Sequence, residues 1–157
     1  MSPKILISSC LAGNRCAYDG KARLSEGASQ ICTLFDCIDV CPEMEGGLTS
    51  PRQIHEIAGG TGDDVWRGKA RVVSHDGKDR TEYFKRGAKK TLEKALKYNA
   101  SIAVMKERSP SCGLKKIHAG SFNGTLRGGS GVTTALLLKH GIKVFTEDEI
   151  EKVKTLL

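Results

Sequence analysis

Short apolar runs alternate along this chain with stretches of helical period, and that alternation restricts the fold more than any other feature. Lys4-Ile5-Leu6-Ile7-Ser8 is apolar and β-branched, with no polar residue between its three central side chains. A strand exposed on one face would alternate; an uninterrupted run predicts a strand buried on both faces. Phe35 to Val40, Ser101 to Met105 and Ile142 to Phe145 read as further strands, the first of them stopped by Pro42. Between them lie helical patterns. Ser25 is placed to cap a helix running to about Leu34. Thr81 to Tyr98 carries Phe84, Ala88, Leu92, Ala95 and Leu96 on one face, with Lys85, Lys89, Lys90, Lys94 and Lys97 on the other. Gly131 leads into a helix from Val132 to His140, closed by Gly141 at the C′ position. Thr146 caps a last helix, with Glu147, Asp148 and Glu149 in its first turn, where the helix dipole favours acids. Strands alternating with helices in this order predict an α/β fold with a mostly parallel sheet and helices packed on it. Residues 46–80, rich in Gly, Asp and turn formers, read as an irregular excursion with a short strand from Lys69 to Ser74.

The chain has 157 residues, 39% of them hydrophobic, which suits one folded domain over residues 1–157 and excludes a disordered chain. It shows no internal repeat, low-complexity run or linker. No apolar run approaches the ~18 residues of a membrane helix. The first ten residues lack the roughly 7–15-residue apolar core of a secretory signal. A cytoplasmic protein without a membrane partner is expected. The net charge of +7 is uneven: residues 1–79 sum to −2 and residues 80–157 to +9. Such asymmetry fits a solvated lysine face, and also an anionic partner such as nucleic acid.

Six cysteines in a chain expected to stay in a reducing compartment point toward metal or catalysis more than toward disulfides. Position sorts them. Cys10 directly follows the first strand, Cys41 the second, and Cys112 lies in the loop Ser109-Pro110-Ser111-Cys112-Gly113 after the third. Open parallel sheets bind ligands beyond the carboxyl ends of their strands, so these three converge on one edge. Thiolates suit zinc, copper(I) or an iron–sulfur cluster. No Cys-x-x-Cys pair is present, and three ligands leave a fourth position open, which suits a catalytic site more than a structural one. Spacing alone leaves zinc, a cluster and plain thiols open. Cys32 and Cys37 read as core residues.

Several stretches then carry a resemblance. They are Ser9-Cys10-Leu11-Ala12-Gly13-Asn14-Arg15-Cys16-Ala17-Tyr18-Asp19-Gly20, Val40-Cys41-Pro42-Glu43 with Gly46-Gly47-Leu48 and Pro51-Arg52, Ser109-Pro110-Ser111-Cys112-Gly113, Gly131-Val132-Thr133 and His140-Gly141-Ile142. In this order, over nearly the whole chain, they resemble the thiouracil desulfidase family of small bacterial proteins. The resemblance implies a Rossmann-like three-layer sandwich and a [4Fe-4S] cluster held by Cys10, Cys41 and Cys112, with the fourth iron open. It implies an acid/base role for Glu43 and a role for a serine of the Ser-Pro-Ser-Cys loop, Ser109 ahead of Ser111. The implied activity is a non-redox desulfidation: sulfur leaves a small thiolated base, such as 2-thiouracil, or a related thioamide as sulfide, and no redox partner is needed. Cys16 belongs to the matching stretch but fits no ligand role, and stands as a candidate reactive thiol beside the cluster.

The remaining features have plainer readings. Asp63-Asp64 and Asp76 are turn residues on a solvated loop rather than a hard-metal site. His55, His75, His118 and His140 have no ligand spacing and read as surface or capping residues. Trp66 anchors the excursion. The glycines from Gly124 to Gly131 form either a turn or a backbone cradle for an anion or carbonyl oxygen. A second function class stays open: an RNA-binding module with structural cysteines, or an enzyme acting on a thiolated base within RNA. It rests on the basic second half and lacks both an RNA motif and stacking aromatics, since aromatics make up 5% of the chain.

Overall fold

The computed structural model describes residues 4–157. In chain order its elements are β1 (Lys4–Ser8), α1 (Glu26–Leu34), β2 (Asp36–Val40), α2 (Pro42–Glu45), β3 (His55–Ala58), α3 (Gly62–Trp66), β4 (Arg71–Ser74), α4 (Thr81–Lys97), β5 (Ala100–Met105), β6 (Lys116–His118), β7 (Leu126–Gly128), α5 (Val132–Lys139), β8 (Lys143–Thr146) and α6 (Ile150–Thr155), with 3-10 turns at Ser9–Ala12 and Glu147–Glu149. The four apolar runs form one sheet in the order β2-β1-β5-β8, parallel throughout. The uninterrupted run in β1 has the expected cause. Ile5 and Ile7 pack with Ala28, Ile31, Ile150 and Val153 of α1 and α6, while Leu6 packs on the opposite side with Ala95 and Leu137 of α4 and α5. Each fully buried side chain of this size contributes about 1.5–3 kcal/mol. Helices therefore cover both faces, giving the three layers.

The helix boundaries follow local chemistry. The Ser25 hydroxyl accepts the Ala28 N–H at 3.2 Å. Thr146 and Glu149 form a capping box, which opens a 3-10 turn before α6. Pro42 ends β2 as expected and also takes the first position of α2, where its missing N–H costs nothing.

The excursion is more ordered than its composition predicts. It holds an antiparallel pair, β3 with β4, and the short helix α3 started by a Thr61–Asp64 capping box. A third small core forms there from Ile57, Val65, Val72, Phe84, Ile117 and Val132. β3 escaped the apolar pattern because two of its buried residues, His55 and Glu56, are polar yet only 6% and 4% exposed. The β6–β7 hairpin escaped because its strands are three residues each, too short to show a period. Cys32 and Cys37 are not separate core thiols: they form a disulfide across the turn from α1 to β2, with Cα atoms 5.2 Å apart, and pack against the layer of α1 and α6. Trp66 is an anchor, its indole N–H donating to the Val132 carbonyl at 2.9 Å.

α2 and α4 touch backbone to backbone. A Cβ on Gly87 would collide with the Pro42 carbonyl, and one on Gly46 with the Tyr83 carbonyl. Neither obstacle is a flexible side chain, so nothing can yield cheaply. Gly87→Ala is expected to cost about 1–3 kcal/mol through overpacking. That corresponds to a fall in Tm of roughly 2–12 °C in a thermal melt, at the usual sensitivity for this chain length.

Candidate active site

The sheet order brings the three strand ends together. Cys10 lies in the 3-10 turn after β1, Cys41 between β2 and α2, and Cys112 in the loop after β5, on three adjacent strands. All three line one cavity of about 490 Å³, and so does Cys16. The Cys41 thiol lies 3.7 Å from the Cys16 carbonyl. The Cys10 thiol beside Cys16 pushes the Cys16 thiol up to about 11. Contact with Cys16, then burial, pushes the Cys41 thiol up. Burial pushes Cys112 up to about 12. Four thiols thus face one cavity, with Cys16 against both Cys10 and Cys41.

The Cys112 loop is tied down from two sides. The Glu107 carboxylate accepts the backbone N–H groups of Leu114 at 2.7 Å and Lys115 at 3.2 Å. From α5, the Thr134 hydroxyl donates to the Cys112 carbonyl at 2.7 Å and the Thr133 N–H donates to the Ser111 carbonyl at 2.9 Å. The glycine-rich approach to α5 is spent on this frame, with Gly131 N–H bound to the Gly113 carbonyl and Gly129 N–H to that of Lys115.

Glu43 is brought beside the thiols by α2, two residues after Cys41. It is 9% exposed. One carboxylate oxygen accepts the Arg52 Nε–H at 2.9 Å, and the other accepts the Ser111 hydroxyl at 2.9 Å. The Ser109 and Ser111 hydroxyl oxygens are 3.0 Å apart, and Ser109 Oγ accepts the N–H groups of Ser111 and Cys112 at 3.1 and 3.0 Å. A hydroxyl has one proton to give. Since Ser111 gives its proton to Glu43, Ser109 gives its own to Ser111. The chain runs in one direction, from Ser109 through Ser111 to the Glu43 carboxylate. Ser111 is the serine in direct contact with Glu43, and Ser109 joins through it.

Arg52 had no role in the sequence reading beyond belonging to a matching stretch. Its side chain is 6% exposed against Glu43, and its N–H at 2.7 Å from the Tyr18 carbonyl ties its loop to that of Cys16. The histidines also need correction. His55 is buried rather than a surface residue, packed against Phe84 with ring centroids 5.3 Å apart, and His55, His75 and His118 all line the cavity. His140 is exposed at the end of α5, with Nδ1 3.0 Å from the Leu136 carbonyl. None of the five lysines on the basic face of α4 lines the cavity.

Among the described residues, no three His, Cys, Asp or Glu side chains converge as the ligands of a single metal ion. A cluster makes a different demand: each thiolate binds its own iron, so the sulfurs ring a volume rather than a point. Thiols from three strand ends around one cavity fit that demand. They are soft donors, which suits iron–sulfur chemistry.

Comparison with known proteins points to one family. Residues 5–149 match the family model described as 2-thiouracil desulfurase. Over 149 residues the chain is 44% identical to the uncharacterized protein YbbK of Bacillus subtilis (strain 168), covering 95% of this chain and 99% of YbbK. A solved structure of the [4Fe-4S]-dependent thiouracil desulfidase TudS superposes with a TM-score of 0.84 at 36% identity, over 99% of each chain. With a match running from β1 to the last 3-10 turn and a shared fold along the whole length, the chain belongs to the 2-thiouracil desulfurase family.

Proposed function

We propose that this protein removes sulfur from a small thiolated pyrimidine of the 2-thiouracil type, using a [4Fe-4S] cluster held by Cys10, Cys41 and Cys112. The observation that supports this most directly is the convergence of those thiols with a buried, doubly hydrogen-bonded carboxylate on one cavity. The overall step balances without electrons: a thiocarbonyl and water give a carbonyl and hydrogen sulfide. When bound, the cluster supplies an iron without a protein ligand, a Lewis acid suited to a soft thiocarbonyl sulfur.

The chain's own residues do the rest. Arg52 and Ser111 hold the Glu43 carboxylate in one orientation. Glu43 takes a proton from the water that attacks the thiocarbonyl carbon and returns it to the departing sulfur, as general base and then acid. Ser111 passes protons to and from Glu43, and Ser109 is the outer member of that relay. Ser109 has a second duty, since its oxygen also holds two backbone N–H groups of the cysteine loop.

The test is direct. Anaerobically prepared protein should be brown and carry about four irons per chain. On mixing with 2-thiouracil it should release one sulfide per uracil formed, with no added reductant. Colourless protein that binds a single zinc after anaerobic reconstitution, or a cluster-loaded protein that releases no sulfide, would refute the proposal.

A further inference from the structure

The cavity has a second wall that the chemistry above does not use. It is built by β3 and by the loop of the β6–β7 hairpin. Three observations on it stand out. Phe122, in that loop, lines the cavity with φ +55°, a left-handed conformation that is rare for a bulky residue. Such strain persists only where the surroundings impose it, and it gathers at functional sites. The surroundings here are specific. The buried Glu56 carboxylate reaches from β3 and accepts the N–H groups of Gly120 at 2.8 Å and Phe122 at 3.2 Å. His75 packs nearly perpendicular to the Phe122 ring, centroids 5.3 Å apart at 72°.

The third observation concerns hydrogen bonding. Both ring nitrogens of His55 and Nδ1 of His118 are buried without a partner among the described residues, and both histidines line the cavity. Unmet buried donors and acceptors are costly. An aromatic face beside two imidazoles with unmet bonds matches a flat heteroaromatic ring with amide-like edges.

We infer that this wall is the ring-recognition subsite: Phe122 stacks on the face of the pyrimidine, and Glu56 is the positioning residue that holds Phe122 in its strained conformation. The inference deepens the proposed function and rests on its assignment of a thiolated pyrimidine as substrate. It also sets the substrate class. A planar six-membered ring gains from this wall, whereas an acyclic thioamide such as thioacetamide does not.

Uracil provides the cleanest probe, because it has the ring and lacks the sulfur. Its affinity for the cluster-loaded protein, measured by calorimetry, reads the subsite without turnover. Phe122→Gly should weaken uracil binding roughly 10-fold or more, the usual scale for losing one aromatic stacked on a base. It should raise KM for 2-thiouracil by a similar factor. Glycine accepts the left-handed conformation freely, so Tm should hold or rise by roughly 2–4 °C. Phe122→Tyr keeps the aromatic face and should retain the affinity. Glu56→Ala should weaken uracil binding as Phe122→Gly does, and the double variant no further, because both act through one ring. Uracil affinity unchanged in Phe122→Gly, an affinity loss as large in Phe122→Tyr, or no uracil binding by the parent protein at millimolar concentration would each overturn the subsite. Failure of the proposed function looks different: parent protein that binds uracil but releases no sulfide from 2-thiouracil.

Discussion

Cys10→Ala, Cys41→Ala and Cys112→Ala proteins, each purified anaerobically, are expected to be colourless and to release no sulfide from 2-thiouracil. Each substitution removes one of the three thiolates proposed to hold one iron each, and the cluster is expected to be lost with it. Cys16→Ala sharpens the assignment. Cys16 stands in the same thiol group, against Cys10 and Cys41, but the proposed ligand set does not need it. Its alanine variant should keep the iron content and visible absorption of the parent protein. Loss of the cluster from Cys16→Ala would make Cys16 a fourth ligand and close the open iron on which the proposed chemistry depends. Cys32→Ala and Cys37→Ala should load normally, since their disulfide packs against the layer of α1 and α6 and neither residue lines the cavity.

Glu43→Gln should show the opposite pattern, with full cluster and little turnover. Glutamine keeps an oxygen to accept one of the two hydrogen bonds that the carboxylate accepts, and it keeps the side-chain length. It cannot take a proton. Turnover should drop roughly 10²–10⁴-fold, the usual worth of a positioned acid/base group. Iron content and absorption should match the parent protein, which separates the loss from a failure to load. Undiminished sulfide release from cluster-loaded Glu43→Gln would remove the acid/base role. The two serines can be ordered in the same assay. Ser111→Ala breaks the direct contact with Glu43, whereas Ser109→Ala leaves that contact and removes the outer member of the relay. The larger loss per loaded chain is expected for Ser111→Ala.

The parallel sheet and the convergence of three cysteines on its edge were legible in the residues because each depends on short-range signals. Apolar runs such as Ile5-Leu6-Ile7 mark strands buried on both faces, and Cys10 and Cys41 sit at their ends. Glu43 was legible only through the motif around Cys41, because a carboxylate after a proline is by itself an ordinary surface residue. What the sequence could not show depends on how loops fold back onto one another. Arg52 becomes an ion-pair partner only when its loop returns to Glu43. Ser111 is distinguished from Ser109 only by which hydroxyl reaches that carboxylate. His55 and Glu56 carry no apolar signal, yet they lie buried in β3, His55 against Phe84 of α4 and Glu56 beneath a loop some 60 residues later.

The glycine contact between α2 and α4 has a dynamic meaning. A helix of four residues has almost no stability of its own, since nucleating even one turn is unfavourable. α2 exists because it is seated against a seventeen-residue helix at backbone distance. Small fluctuations that would lift a surface helix and fray its ends have no room here. Glu43 therefore moves with α4 as one cooperative unit, and opening its side of the cavity carries the free energy of separating α2 from that long helix.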